Sequence, residues 1–221
     1  GETPFTGRTV IVTAGPTREP VDPVRFISNR SSGRMGYAIA GAAWRRGAHV
    51  ILITGPSALE APVGADVVRV ETAEEMAEAV RAALPRADVL IMAAAVADFR
   101  PARPAERKIK RAEAPESIPL EPAPDVLRST LDARPAGLVT VGFALETHDA
   151  VAHGRAKLES KALDLIVVND ATLPGAGFEV ETNRVVILDR SGAEEALPLM
   201  SKHDVAEALL DRVAALLGSR R

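Results

Sequence analysis

Val10-Ile-Val-Thr-Ala-Gly-Pro-Thr-Arg-Glu-Pro-Val-Asp-Pro-Val-Arg-Phe-Ile-Ser-Asn-Arg-Ser-Ser-Gly-Arg-Met-Gly36 is the stretch whose reading decides the fold. A β-branched, unbroken run enters it and predicts a buried strand over residues 9–13, and an Ala-rich periodic pattern leaves it and predicts a helix from about Gly33 to Arg46. The loop between them is long, and a long loop in a compact domain is either functional or disordered. Pro16, Pro20 and Pro23 restrict it, and Val21, Val24, Phe26 and Ile27 give it apolar anchors, so disorder is the poorer reading.

Outward from this stretch, strands are expected at 50–54, at Asp66 to Val70 and at 89–93. Thr72 with Glu75 three residues on is a capping box for a helix through Leu84, and Gly47 stops the first helix. Further strands are expected at 138–144 and 163–168, with a helix over 148–162 between them, and Pro124 opens a shorter helix. Phe178 to Glu181 and Arg184 to Leu188, separated by Thr182-Asn183, read as an antiparallel hairpin. Ser201 with Asp204 caps a final helix to Leu217. Lys108 to Lys110 followed by Ser117 to Glu121 reads as a short exposed hairpin, a flap over a site. The pattern predicts an α/β, Rossmann-like, mostly parallel sheet with helices on both faces, plus an antiparallel C-terminal hairpin and a flap, in one domain over residues 1–221.

Hydrophobic residues make up 47% and aromatics only 3%, so the core is expected from Ala, Val, Leu and Ile, as in helices packed on a parallel sheet. With no cysteine, disulfides, thiolate metal sites and cysteine nucleophiles are excluded, which is compatible with a cytoplasmic setting. The net charge of -3 provides no global field for nucleic acid or anionic lipid. No apolar stretch reaches membrane-spanning length, so neither nucleic acid nor membrane is expected as a partner.

Ligands of open α/β sheets sit beyond the C-terminal ends of the strands, where the irregular loops of this chain fall: 13–34, 94–111, Glu146-Thr147 and Asn169-Asp170. Ser31-Ser32-Gly33 reads either as an ordinary N-cap or as an anion cradle of hydroxyls, backbone N–H groups and helix dipole. Arg25, Asn29 and Arg34 nearby weight it toward phosphate. Gly-x-Gly-x-x-Gly is absent, and the second strand ends in Thr54-Gly55 with no acid for a ribose, which disfavours a nicotinamide enzyme. Lys108 to Arg111 reads as a solvated charge run or, gathered with Lys157 and Lys161, as the cations of a triphosphate site. The i, i+4 spacing of Lys157 and Lys161 serves a solvent face equally well. Asp98 or another carboxylate could hold Mg²⁺ bridging the phosphates. His49, His148, His153 and His203 form no triad pattern.

The blocks Thr13 to Gly36, Ala94-Ala-Val-Ala-Asp-Phe99, Lys108-Ile-Lys-Arg111, Val141-Gly-Phe-Ala-Leu-Glu-Thr147 and Leu163-Asp-Leu-Ile-Val-Val-Asn-Asp170 resemble the motifs of phosphopantothenate-cysteine ligase, the synthetase half of the bacterial bifunctional coenzyme A biosynthesis protein. The resemblance implies CTP-dependent ligation of 4'-phosphopantothenate with L-cysteine through an acyl-cytidylate, with Mg²⁺, in a homodimer. It assigns Asn29 to holding the acyl-cytidylate and Lys108 to forming it. CTP contacts fall on Ala94, Ala95, Asp98, Lys108, Pro124, Asp125, Phe143, Lys157 and Lys161. Phosphopantothenate contacts fall on Arg25, Asn29, Ser31, Ser32, Gly33 and Arg34. Arg111 departs from the last lysine of the family's Lys-x-Lys-Lys pattern and keeps its charge. Pro122-Ala123 departs from Lys-Asn, so only Pro124 and Asp125 carry over there. The flavin-dependent phosphopantothenoylcysteine decarboxylase half is not in these residues, in keeping with a Gly start and a piece cut from a longer chain. The runner-up is a nicotinamide- or flavin-dependent reductase on the same topology; a third reading is a non-catalytic nucleotide-binding subunit.

Overall fold

The computed structural model describes residues 1–170, 172, 174, 175 and 180–219. In chain order the first elements are β1 (Thr9–Ala14), β2 (Arg18–Pro20), β3 (Phe26–Ser28), α1 (Arg34–Arg45), β4 (His49–Thr54), β5 (Asp66–Arg69), α2 (Ala73–Ala83), β6 (Val89–Met92), β7 (Phe99–Pro101) and β8 (Leu120–Pro122). Then come α3 (Val126–Ser129), β9 (Val139–Glu146), α4 (Ala150–Ser160), β10 (Leu165–Asp170), β11 (Thr182–Asn183), β12 (Val185–Asp189), β13 (Glu194–Ala196), β14 (Met200–Ser201) and α5 (Lys202–Ser219). Among the described residues, no helix is long and apolar enough to cross a membrane.

The main sheet runs β13-β12-β10-β9-β6-β1-β4-β5, parallel from β10 to β5 and antiparallel at β12 and β13. Successive side chains of a strand point to opposite faces. Val10, Val12, Val50, Leu52, Ile91 and Val141 therefore meet α1 and α5, while Ile11, Ile51, Ile53, Leu90 and Ile166 meet α2, α3 and α4. Since β4 lies on one side of β1 and β6 on the other, strand order reverses at β1, the place where such sheets bind ligands.

The expected parallel strands and the capping box are present: Thr72 Oγ1 accepts from Glu75 N–H at 3.2 Å while Glu75 reaches back. The 13–34 loop is more ordered than its length implied, because β2 and β3 pair within it as a small hairpin. Two expectations are corrected. Thr182-Asn183 is not a turn but a strand paired with Met200–Ser201, and the C-terminal hairpin is β12 with β13 instead. Phe178 and its neighbour 179, expected in that hairpin, lie outside the described residues. The flap hairpin joins Phe99–Pro101 to Leu120–Pro122, not Lys108–Lys110 to Ser117–Glu121. Alternation at 108–110 indicated an extended chain but could not name its partner.

Gly36 is what lets α1 sit against the end of β1: a Cβ there would lie 2.5 Å from Ala14 Cβ and 2.9 Å from the Thr13 carbonyl oxygen. Overpacking so close a backbone contact costs about 1–3 kcal/mol. Gly36→Ala is expected to lower unfolding stability by that amount in a denaturant titration, and an unchanged midpoint would contradict the close approach.

Candidate active site

The strand ends β1 and β6 do not part when the sheet stops. Pro16 and Ala95 form a further parallel bridge, Ala95 N–H donates to Gly15 O at 2.9 Å, and Thr17 N–H donates to Ala95 O at 3.3 Å. Two buried threonines fasten the same seam: Thr13 Oγ1 accepts from Ala94 N–H at 3.1 Å and Thr17 Oγ1 from Ala97 N–H at 3.0 Å. Asn29 Nδ2 then donates to the Ala95 and Val96 carbonyls at 3.1 and 3.3 Å. This locks the end of one motif block onto the start of another.

Beside this seam opens a cleft of about 550 Å³. Asn29, Ser31, Ser32, Gly33 and Arg34 form one wall, with Ala94, Ala95 and Asp98 beyond β6. Pro124 and Asp125 before α3, Phe143 on β9, and Lys157 and Lys161 on α4 complete it. Neither serine is the N-cap of α1. Gly33 takes that place at φ 85°, with no side-chain cap bond, while Ser31 Oγ accepts from Gly33 N–H and Ser32 Oγ from Arg34 N–H at 3.2 and 3.4 Å. The positive end of a long helix is thereby directed to the cleft wall, the arrangement that favours an anion.

Lys157 and Lys161 are not merely a solvent face. Lys157 Nζ pairs with Glu146 at 2.7 Å and Lys161 Nζ with Asp125 at 3.2 Å, both at the cleft. Burial pushes the Glu146 carboxyl up, but hydrogen bonds and charge from Lys157 and then His153 hold it below the usual range. Asp125 also caps α3, accepting from Arg128 N–H at 3.1 Å. The departure at Pro122-Ala123 leaves Asp125 this double role.

Two expected residues are not in the cleft lining. Lys108 is exposed on the segment between β7 and β8. Arg25 instead pairs with Asp22 and donates to the Ile109 carbonyl at 3.2 Å, so it anchors the base of that segment.

Residues 5–217 match the family described as the DNA/pantothenate metabolism flavoprotein C-terminal domain. The chain belongs to this family. It is 45% identical over 214 residues to the coenzyme A biosynthesis bifunctional protein CoaBC of Bacillus subtilis (strain 168), covering 96% of this chain and 52% of that one. Against the CoaBC of Mycobacterium tuberculosis (strain ATCC 25618 / H37Rv) it is 49% identical over 222 residues, covering 96% and 53%. The chain thus spans about half the length of the curated relatives it matches. Among solved structures, the crystal structure of the C-terminal domain of CoaBC superposes with a TM-score of 0.84 at 37% identity, covering 98% of this chain and 99% of that one. This is the family that the motif blocks resembled, and its fold is the one built here.

Sequence reasoning missed Asn183 and Lys202, which also line the cleft, and gave no contact to Asn169, although it had placed Asn169-Asp170 among the ligand-bearing strand ends. Asn169 was within reach of the strand-end argument, since it closes β10. Lys202 had no such signal: it follows Ser201, whose hydroxyl accepts from Asp204 N–H at 3.0 Å as an ordinary helix cap.

Asp22 ties the β2–β3 hairpin to the segment carrying Lys108. Burial pushes its carboxyl up, but N–H groups of Val24, Ile109 and Arg25, then the Arg25 guanidinium, outweigh that and lower it to about 2. A folded-state value below the ordinary one means that its stabilisation is complete above about pH 4 and is lost as pH falls toward about 2. Protection of the Ile109 amide against hydrogen exchange is expected to fall across that window and to lose this dependence in Asp22→Asn. Constant Ile109 protection in the unsubstituted chain would contradict the tie.

Proposed function

We propose that this chain is the ligase domain that joins 4'-phosphopantothenate to L-cysteine at the expense of CTP, giving phosphopantothenoylcysteine, CMP and pyrophosphate in coenzyme A biosynthesis. The single observation that carries the reading is convergence: separate motif blocks, far apart in the chain, meet in one cleft at the point where strand order reverses. Membership of the family and the likeness to CoaBC support a role in coenzyme A biosynthesis, and the substrates are those that the resemblance of the motif blocks implies.

A carboxylate is a poor acyl donor until one of its oxygens becomes a good leaving group. In the proposed first step, a carboxylate oxygen of 4'-phosphopantothenate attacks the α-phosphorus of CTP, and the bond to pyrophosphate breaks with its electron pair leaving on pyrophosphate. In the second, the cysteine nitrogen attacks the acyl carbon, the C–O bond breaks, CMP leaves with that oxygen, and the amine proton passes to solvent. Lys157 and Lys161 supply fixed positive charge toward the nucleotide, and Lys108 reaches its phosphates from the flap, over its own cleft or that of a second copy in a homodimer. Asn29, held by two carbonyls, retains the acyl-cytidylate for the amine. The Ser31 to Arg34 wall takes the substrate's phosphate.

Among the described residues, no group of three or more His, Asp or Glu is arranged to hold a metal ion. A lone exposed Asp98 at the cleft suits Mg²⁺, which binds through one or two carboxylates together with substrate phosphates and water. When bound, Mg²⁺ would neutralise phosphate charge. The wider proposal places the domain in the cytoplasm, fused to an N-terminal flavin-dependent phosphopantothenoylcysteine decarboxylase.

Pyrophosphate release is expected only when CTP and 4'-phosphopantothenate are both present, with CMP release on adding cysteine; no cysteine-dependent CMP would overturn the proposal. Lys108→Ala is expected to slow pyrophosphate formation by about 10²-fold or more. Asn29→Ala should still release pyrophosphate while acyl-cytidylate accumulates, detectable by mass spectrometry of quenched reactions. Equal loss of both steps in each variant would contradict the assigned roles.

A further inference from the structure

Lys161 closes α4 as its C-cap, and the chain then turns through Ala162 at φ 49°, a left-handed conformation that glycine ordinarily supplies at this place. Ala162 N–H donates to Glu159 O at 3.1 Å and Leu163 N–H to Leu158 O at 2.9 Å, which completes the helix end. The carbonyls that follow are taken by two arginines from elsewhere in the chain. Arg190, just after β12, donates to Ala162 O at 2.7 Å and to Leu163 O at 2.6 Å. Arg134, half-buried between α3 and β9, donates through Nη1 to both Lys161 O and Ala162 O at 3.0 Å.

The two arginines differ in what else they hold. Arg134 Nη2 donates to Leu127 O of α3 at 2.9 Å, and its Nε donates to Thr130 Oγ1 at 3.4 Å. Arg190 pairs with Asp164 at 3.6 Å, and among the described residues none of its hydrogen bonds runs to α3. The N-cap of α3 is Asp125, whose carboxylate pairs with Lys161 Nζ at 3.2 Å. Lys161 is therefore tied to α3 at both ends, its ammonium through Asp125 and its carbonyl through Arg134. A planar guanidinium with donors in a fixed fork spans two helix ends at once, which the compact ammonium of a lysine does not. We propose that Arg134 is a positioning residue of the nucleotide end of the cleft, bracing the last turn of α4 against α3 so that Lys157 and Lys161 stand where the triphosphate needs them. The role rests on the ligase reading above, which turns these lysines toward the nucleotide. Arg134 itself does not line the cleft, so it acts only through them.

Calorimetric titration with CTP, beside the KM for 4'-phosphopantothenate in pyrophosphate release and a denaturant titration, separates positioning from stability. Arg134→Met is expected to weaken CTP binding by about 10-fold or more while the KM for 4'-phosphopantothenate moves by less than about twofold. Arg134→Lys, the milder variant should the first not fold, keeps the charge but bonds one helix end only, and is expected to weaken CTP likewise. Arg190→Met, at the same end of α4 but without the link to α3, should lower the unfolding midpoint and keep the CTP affinity. Ala162→Gly added to Arg134→Met removes the cost of the left-handed turn, so it should recover stability without recovering CTP affinity. A folded Arg134→Met or Arg134→Lys that binds CTP as the unsubstituted chain does overturns the inference while the ligase reading stands. An equal loss of CTP in Arg190→Met, or its recovery on adding Ala162→Gly, overturns it too, because stability of the helix end would then be the cause. Should the unsubstituted chain bind no CTP, the ligase reading fails and this inference with it.

Discussion

The structure depends on the seam that continues β1 and β6 beyond the sheet. Strands at a reversal of order normally diverge, and the gap between their following loops becomes the ligand crevice. Here the loops are first laced together by Gly15, Thr17, Ala95 and Ala97, and only then allowed to part. Such a seam demands residues that bring backbone close: a Cβ on Gly55 would fall 1.7 Å from the Pro16 carbonyl oxygen, and Gly36 plays the same part under Ala14. Its hydrogen bonds run to backbone groups that would otherwise be buried without partners, so losing one threonine hydroxyl costs the desolvation of an amide as well as a bond.

From that seam the polarity of the cleft follows. The two sheet faces carry different helices, and each delivers cations to the same strand ends: α4 from one side, α1 and α5 from the other. Lys157 and Lys161 are held by carboxylates, so they would be oriented ahead of the proposed nucleotide, which would reduce the ordering cost of binding. The Asp22 network sits on the third side. It joins the hairpin that leads to Asn29 with the segment that carries Lys108.

The parallel strands were legible because strands buried on both faces read as unbroken apolar runs, and α2 because Thr72 and Glu75 form a purely local box. What failed was pairing at a distance. Thr182-Asn183 has turn composition, yet Asn183 is a buried strand residue opposite Met200, a fact decided by α5 and the sheet rather than by its neighbours. The flap failed likewise, since the partner of Phe99–Pro101 is set by closure of the intervening segment. Many of the cleft-lining residues fall in contiguous motif blocks, but Lys108 and Arg25, in such blocks too, do not line it, and Lys202 was hidden by a helix cap that accounts for its neighbours without it.

The central claim is activation of a carboxylate by transfer of a cytidylyl group. Oxygen bookkeeping tests it most directly: turnover of 4'-phosphopantothenate labelled with ¹⁸O in its carboxylate, followed by mass spectrometry of the nucleotide product. One labelled oxygen in the phosphate of CMP is expected, because in the proposed second step the C–O bond of the acyl-cytidylate breaks when cysteine attacks. Label in inorganic phosphate, or none in CMP, would contradict it.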